Sequence, residues 1–257
     1  VTRYFLTTLG RARRQETLGR LHPKIRARTT VVIQFHELEQ HQYLRDHGID
    51  DILPLPLHID NLGPTRQYLL DRFRGEQIVM LDDDLVFMYR ADPPNWPLTT
   101  YGADGALEPF LALDRLLDAG FAHASLSGRE GNNRVAEEVV QCTRYMRVLA
   151  YNTALFPSHV RMDRVNGMSD FDTNLQLLRA GLPSAVNFWF AQGQGGTQQP
   201  GGCSLNRTHA THSAEIDFMC ETHGDLVRRR LKQNKGGGEF GTREELTIYW
   251  KKALGHG

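Results

Sequence analysis

Cysteine is scarce. The 257 residues hold three, Cys142, Cys203 and Cys220, with no paired spacing. That excludes a disulfide framework and favours a reducing compartment. No apolar run is long enough to span a bilayer and no signal-peptide pattern opens the chain, so no membrane partner is expected. Net charge is missing too. Thirty Lys plus Arg balance thirty Asp plus Glu, which leaves no global basic field for nucleic acid, although local patches remain open. Internal repeats and low-complexity blocks are absent. The length allows one large α/β domain or two small ones. Nothing marks a boundary, so a single domain over 1–257 is expected.

What is present is an alternation of short apolar runs with amphipathic stretches. Strands are expected over 3–9, 30–34, 51–57 and 77–81. Helices are expected over 37–46 and over 64–73, where Pro64 suits a first turn. Residues 10–22 read as a polar loop or short helix. This order implies an α/β fold with a mainly parallel sheet covered by helices, whose ligands bind outside the carboxyl ends of the strands. Beyond Arg90 the expectation is a loop over 91–105, a helix over 106–119, a strand over 121–126 and an extended hairpin arm or a pair of strands over 143–156. A helix over 168–181, a strand over 183–190 and a glycine-rich loop over 191–204 follow. A basic helix over 226–232 and a C-terminal helix close the chain.

The most pointed stretch is QIVMLDDDLVFMYR, Gln77 to Arg90. Adjacent carboxylates repel and lose hydration where a strand leaves a core. A solvated acidic turn is the plain explanation. A divalent cation is the chemical one, because Mg²⁺ or Mn²⁺ takes one or two carboxylates with phosphate oxygens and water and neutralises a diphosphate leaving group. Residues i and i+2 share a side of a strand, so Asp82 and Asp84 are expected to converge, with Asp83 turned elsewhere.

LDDDL at the end of such a strand resembles the DxD motif of GT-A fold glycosyltransferases, which transfer a sugar from a nucleotide-sugar donor. The resemblance implies a GT-A-like Rossmann-type fold. It places Asp82, with Asp83 beside it, on the donor side, and gives the metal to Asp84. GMSDFDTNLQLLRAG resembles the acidic pair these enzymes carry at a helix start. There Asp170 would serve as base in an inverting reaction, with Asp172 following and Ser169 standing where Glu is usual. A helix start stabilises a carboxylate anion, whereas a base benefits from a raised pKa and hence a partly apolar wall. An ordinary N-cap is the other reading. By position, Thr8, Gly10 and Arg11 after the first strand and Arg66 near the helix before the triplet would hold the donor nucleotide, arginine being suited to diphosphate. SGREGNNR resembles a loop over the donor sugar, with Gly128, Arg129, Asn132 and Asn133 as contacts. In the enzymes it resembles, a late histidine often completes the metal shell. His209, His212 and His223 are available, His209 being preferred, while Cys203 and Cys220 keep a structural zinc open.

As a set, TLGR, LDDDLVF, SGREGNN, QCTRYMRVLAYN and SDFDTNLQLLRAG resemble the phage TET-associated glycosyltransferases, from the first strand to near Phe190. The likeness implies a UDP-sugar donor, Mn²⁺ or Mg²⁺, and the hydroxyl of 5-hydroxymethylcytosine in DNA as acceptor, in the cytoplasm of a bacterial host. For DNA, Gly10–Arg14, Lys24–Arg28 and Arg228–Lys235 are candidate phosphate contacts, though charge runs are more often solvated faces. PPNWP and the glycine-rich loop are candidates for covering a flipped base. Four other readings remain. They are a GT-A glycosyltransferase with a non-DNA acceptor, a HAD-type phosphatase, whose motif normally follows the first strand, a sugar nucleotidyltransferase, which lacks its glycine-rich loop here, and a non-catalytic nucleotide-binding module.

Overall fold

The apolar runs of the N-terminal third become strands buried on both faces, as parallel sheets require. A computed structural model of the chain describes residues 1–11, 14–41, 44, 45, 49, 51–91, 97–131, 136–194, 208–233 and 242–255. In it β1 (Arg3–Thr7), β2 (Thr29–Ile33), β3 (Ile52–Pro54) and β4 (Gln77–Asp82) lie parallel in the order β3-β2-β1-β4. The connections carry α1 (Glu16–Arg20), α2 (Pro23–Arg26) and α3 (Leu62–Arg72).

The second half extends the same sheet with β5 (Leu85–Arg90), β6 (Leu98–Thr100), β7 (His123–Gly128), β8 (Val139–Gln141), β9 (Val148–Asn152) and β10 (Ser184–Gln194). The order is β3-β2-β1-β4-β9-β7-β10-β5-β6, with β8 beside β10. β9 runs antiparallel to β4 and β7, and β10 runs parallel to β7 but antiparallel to β5. The sheet is therefore parallel on its N-terminal side and mixed beyond it.

Helices cover both faces. Phe110 and Leu113 of α4 (Glu108–Asp118) pack with Tyr4, Leu6, Val79, Leu81 and Phe87 on one side. Leu69 and Leu70 of α3 and Leu177 of α5 (Ser169–Arg179) pack with Phe5, Val32, Met80 and Leu149 on the other. A third cluster joins α5 to α6 (His209–His223), to the two-stranded ribbon β11 (Val227–Gln233) and β12 (Thr242–Ile248), and to α7 (Trp250–Ala253). Among the described residues no helix is long and apolar enough to cross a membrane.

Five expectations are corrected. Leu98–Thr100, inside the expected loop over 91–105, form β6 because they pair antiparallel with β5. The basic segment 226–232 is strand β11, because each of its residues from Val227 pairs antiparallel with β12 and tertiary pairing outweighs the helix propensity of Arg, Leu and Lys. The arm over 143–156 is a strand only at β9, since Cys142 and Arg147 take positive φ (51° and 66°) and break its approach. Where described, residues 37–46 are not one continuous α-helix, since 3₁₀ turns lie over Phe35–Glu37 and Glu39–His41 and only Leu44 and Arg45 are α-helical. Ala191 to Gln194 continue β10 rather than opening a loop. The rest of that loop and the PPNW segment lie outside the described residues.

Candidate active site

The carboxyl ends of β1 and β4 lie side by side, Thr7 opposite Asp82, and the sequence closes that edge with hydroxyls and carboxylates. Strand β4 ends at Asp82, and the chain turns at Asp83 and Asp84 before β5. α1 staples this turn. Thr17 Oγ1 donates to the Asp82 carbonyl at 2.6 Å and accepts the Leu85 N–H at 2.8 Å, while its own N–H reaches the Asp83 carbonyl at 3.0 Å.

Because the chain turns, strict alternation lapses, and the expected pairing of Asp82 with Asp84 is not what the side chains do. Asp83 and Asp84 converge. One nitrogen of Arg11, Nη1, donates to Asp83 Oδ1 at 2.6 Å and to Asp84 Oδ2 at 2.7 Å. Thr8 Oγ1 donates to the other Asp83 oxygen at 2.6 Å, and Gln194 Nε2 to the other Asp84 oxygen at 2.8 Å. Gly10, at φ 66°, donates its N–H to Glu37 Oε1 at 2.6 Å. A side chain there would be strained.

Asp82 turns the other way, toward Arg66. This guanidinium is buried, 3.5 Å from Asp82 Oδ1 and 2.7 Å from Ser169 Oγ. Ser169 opens α5, so one arginine joins the end of β4 to the start of α5, where Asp170 sits. Burial pushes Asp82 up to about 7, against the pull of Arg66 and with the repulsion of Asp84, Asp83 and Asp170. Burial also raises Asp170, while Arg66, the Phe171 N–H and Arg144 draw it back. Asp170 thus has the desolvated surroundings that a base requires. Asp172 does not share them. It is fully buried, and its oxygens accept from Arg164 at 2.9 Å, His223 at 2.8 Å and Gln176 at 2.9 Å. It faces the packing between α5 and α6, not the cleft.

Several residues of this site carry no signal in the sequence. Gln192 and Gln194 alternate on the end of β10, and Arg147 reaches Gln192 Oε1 at 3.4 Å and Glu130 at 3.2 Å. Beside them lie two residues that the sequence did offer, Arg129 and Gly128: Arg129 packs on Gly193, where a Cβ would come within 3.2 Å of its own. Gly128, before it, ends β7. Arg144 lies over the Phe171 ring at 5.1 Å and interacts electrostatically with Asp170. These side chains meet because β7, β9 and β10 are neighbours, and spacing along the chain does not reveal that.

The remaining candidate residues separate cleanly. Asn132 lies outside the described residues, as does the side chain of His209. His223 is committed to Asp172, and His212 Nε2 is 3.0 Å from the Glu244 carbonyl. Among the described residues no three His, Cys, Asp or Glu side chains are grouped to hold a metal. Two carboxylates that converge on one cationic nitrogen nevertheless fit a hard cation that draws its other ligands from phosphate and water. An open hollow of about 470 Å³ lined by Tyr89, Tyr101 and Trp189 is at the far end of β5 from Asp84, about 17 Å away at about 3.4 Å per residue.

Comparison with known proteins bears on this edge. Residues 2–202 match the family model described as TET-Associated Glycosyltransferase. The chain belongs to that family. The match takes in the triplet, Arg66, the loop after β7 and Asp170, while α6 and the ribbon follow it. The chain is 22% identical over 225 residues to the Beta-glucosyl-HMC-alpha-glucosyl-transferase of Enterobacteria phage T2, covering 81% of this chain and 78% of that protein. In fold it resembles a mannosyltransferase of Pyrobaculum calidifontis solved with GDP-Man and Mn²⁺, with a TM-score of 0.56 at 13% identity. That alignment covers 93% of this chain and 66% of the archaeal one, so the chain spans just under two thirds of that protein. The fold is that of GT-A glycosyltransferases, as the DxD resemblance implied.

Proposed function

We propose that this TET-associated glycosyltransferase transfers a sugar from a UDP-sugar to the hydroxyl of 5-hydroxymethylcytosine in DNA, with Mn²⁺ or Mg²⁺ as cofactor. The observation that carries the reading is the Arg66 bridge, which holds the acidic end of β4 and the Asp170 helix start in one cleft. Asp84 and Asp83 are the residues that would hold the cation, and when bound it neutralises charge on the diphosphate. His209 remains a candidate further ligand. Thr8 and Gly10 shape the nucleotide side through Asp83 and Glu37, and Arg11 would turn from Asp83 and Asp84 to the diphosphate when a cation takes those carboxylates. Gly128 and Arg129 begin the segment assigned to the donor sugar, and Asn132, outside the described residues, is kept as a candidate contact by its place in the sequence.

In an inverting transfer Asp170 takes the proton of the acceptor hydroxyl. The oxygen forms a bond to the anomeric carbon, the bond from that carbon to the diphosphate breaks, and UDP departs. Arg66 orients both carboxylates, and the buried phenols of Tyr145 and Tyr151, 3.4 Å apart, form a neutral floor near Asp170. Asp172 serves the fold.

A second reading has the acceptor as a sugar already carried by hydroxymethylcytosine. It is favoured by the T2 relative, whose name specifies a β-glucosyl-HMC. One experiment separates the two. DNA carrying hydroxymethylcytosine, bare or glucosylated, is incubated with UDP-sugars and Mn²⁺ or EDTA, and its nucleosides are weighed. The proposal expects a metal-dependent hexose or aminosugar mass on the bare base. Added mass on the glucosylated base alone selects the second reading, and no mass on either rejects both.

A further inference from the structure

The ribbon β11–β12 has two chemically different faces. Along β11, Val227, Arg229 and Leu231 share one side and Arg228, Arg230 and Lys232 the other. The Val227 end of the first side is turned to the protein, while Leu231 at the other end is 70% exposed. Val227 packs with Ile216 and Met219 of α6, with Leu246 and Ile248 of β12 against them, and Arg229 pairs with Glu244 at 3.1 Å and with Asp217 of α6. The second side is turned to solvent, the side chains of Arg230 and Lys232 being 56% and 53% exposed. Glu245 faces both, 2.9 Å from Arg230 and 3.4 Å from Lys232. On the described part of this face, three cations meet one carboxylate.

The ribbon also ends at the cleft. β12 runs into Trp250, whose ring meets that of Phe171 at 5.6 Å, and Phe171 follows Asp170. Arg144, over the same Phe171 ring, interacts electrostatically with both Asp170 and Glu245. Of the other basic runs, the one over 24–28 is at the opposite edge of the sheet, where Arg28 donates to the carbonyl of Thr2 before β1.

We propose that the solvent face of this ribbon is the docking surface for the DNA duplex that carries the acceptor, with Arg228, Arg230 and Lys232 on its backbone phosphates. The inference rests on the DNA reading above and names the surface that would meet that partner. Alternate residues of a strand are about 7 Å apart, and one DNA strand offers a phosphate about every 3.4 Å of axis. A rigid strip of cations at that spacing holds a duplex without reading its sequence. That suits a site whose target is a modified base that must leave the stack to react. Anchorage then lies beside the cleft, and Glu245 moderates it.

The test is fluorescence anisotropy of the full chain on a labelled duplex containing hydroxymethylcytosine, titrated with NaCl. Three neutralised phosphate contacts should lower the slope of log K against log salt by about 2 to 3 in the R228Q/R230Q/K232Q variant. Affinity at physiological salt should fall at least about tenfold. Glu245→Gln should tighten binding, a gain that misfolding cannot imitate, and thermal unfolding should show all variants folded. A triple variant that keeps the full salt slope, while the wild type glycosylates the same DNA, would remove the ribbon from the account and leave the reaction standing. A wild type that neither binds the duplex nor modifies it would overturn both.

Discussion

Arg66 Nη1 donates to Ser169 Oγ at 2.7 Å, across 103 positions of sequence. The same guanidinium faces Asp82, so a single buried side chain sets the distance between the acidic turn and the helix that starts with Ser169 and Asp170. Lysine keeps the charge but cannot reach two partners as a planar fork. Arg66→Lys is therefore expected to cut kcat at least tenfold and to cost about 1–3 kcal/mol from partners left unmatched. Steady-state kinetics beside thermal unfolding check it. Full kcat in this variant would show that the bridge does not position the carboxylates.

Arg11 and a divalent cation want the same two carboxylates. Removing the guanidinium in Arg11→Gln should raise Mn²⁺ affinity without donor several-fold, since opposite charges a few ångströms apart interact by at least about 1 kcal/mol even in a watery setting. UDP binding should weaken at the same time. Free Mn²⁺ measured by electron paramagnetic resonance decides the first point. Weaker metal binding in the variant contradicts the competition.

Asp172 is predicted to matter for stability, not for chemistry. Its removal strands Arg164, Gln176 and His223 around a buried hole, and breaking such a network costs about 3–5 kcal/mol. Asp172→Ala should unfold at much lower denaturant while the fraction still folded keeps near-normal turnover. A stable Asp172→Ala protein that is catalytically dead would return this residue to the cleft.

Stability depends on pH through His123. His123 is buried, its Nε2 2.9 Å from the Leu182 carbonyl, and burial lowers it from 6.5 to about 4. Between those values the unfolded chain binds a proton that the folded chain refuses. Stability is full above pH 6.5 and is lost as pH falls toward 4, by about 3 kcal/mol across the window. Urea titrations from pH 4 to 7 should show this slope, and His123→Gln should flatten it. An unchanged slope in the variant assigns the acid sensitivity to other groups.

How much of this was legible from residues alone follows from what made each part local. The strands of the parallel half announced themselves as apolar runs, and α5 by its acidic start and glycine stop, Gly181 at φ 81°. The Asp triplet stood out for the same reason, yet its internal pairing was misjudged because a turn, not a strand, carries Asp83 and Asp84. Thr17, Arg144, Arg147, Gln192 and Gln194 were invisible, since only the pairing of distant strands and the packing of α1 bring them to the edge. β11 was misread because Arg, Leu and Lys suit a helix until β12 supplies the partner that makes them a strand. The helix start offers Asp170 as the base with Asp172 following it, and what spacing does not show is that Arg164, Gln176 and His223 hold Asp172 away from the cleft.

The central claim is that Asp170 removes the acceptor proton in a cleft assembled by Arg66 and the acidic turn. The most direct measurement is single-turnover transfer to hydroxymethylcytosine DNA by Asp170→Asn, with UDP-sugar binding measured on the same preparation. General-base loss is expected to slow transfer by about 10²–10⁴ while donor affinity and thermal stability stay near wild type. Transfer at the wild-type rate would place the base elsewhere and contradict the account.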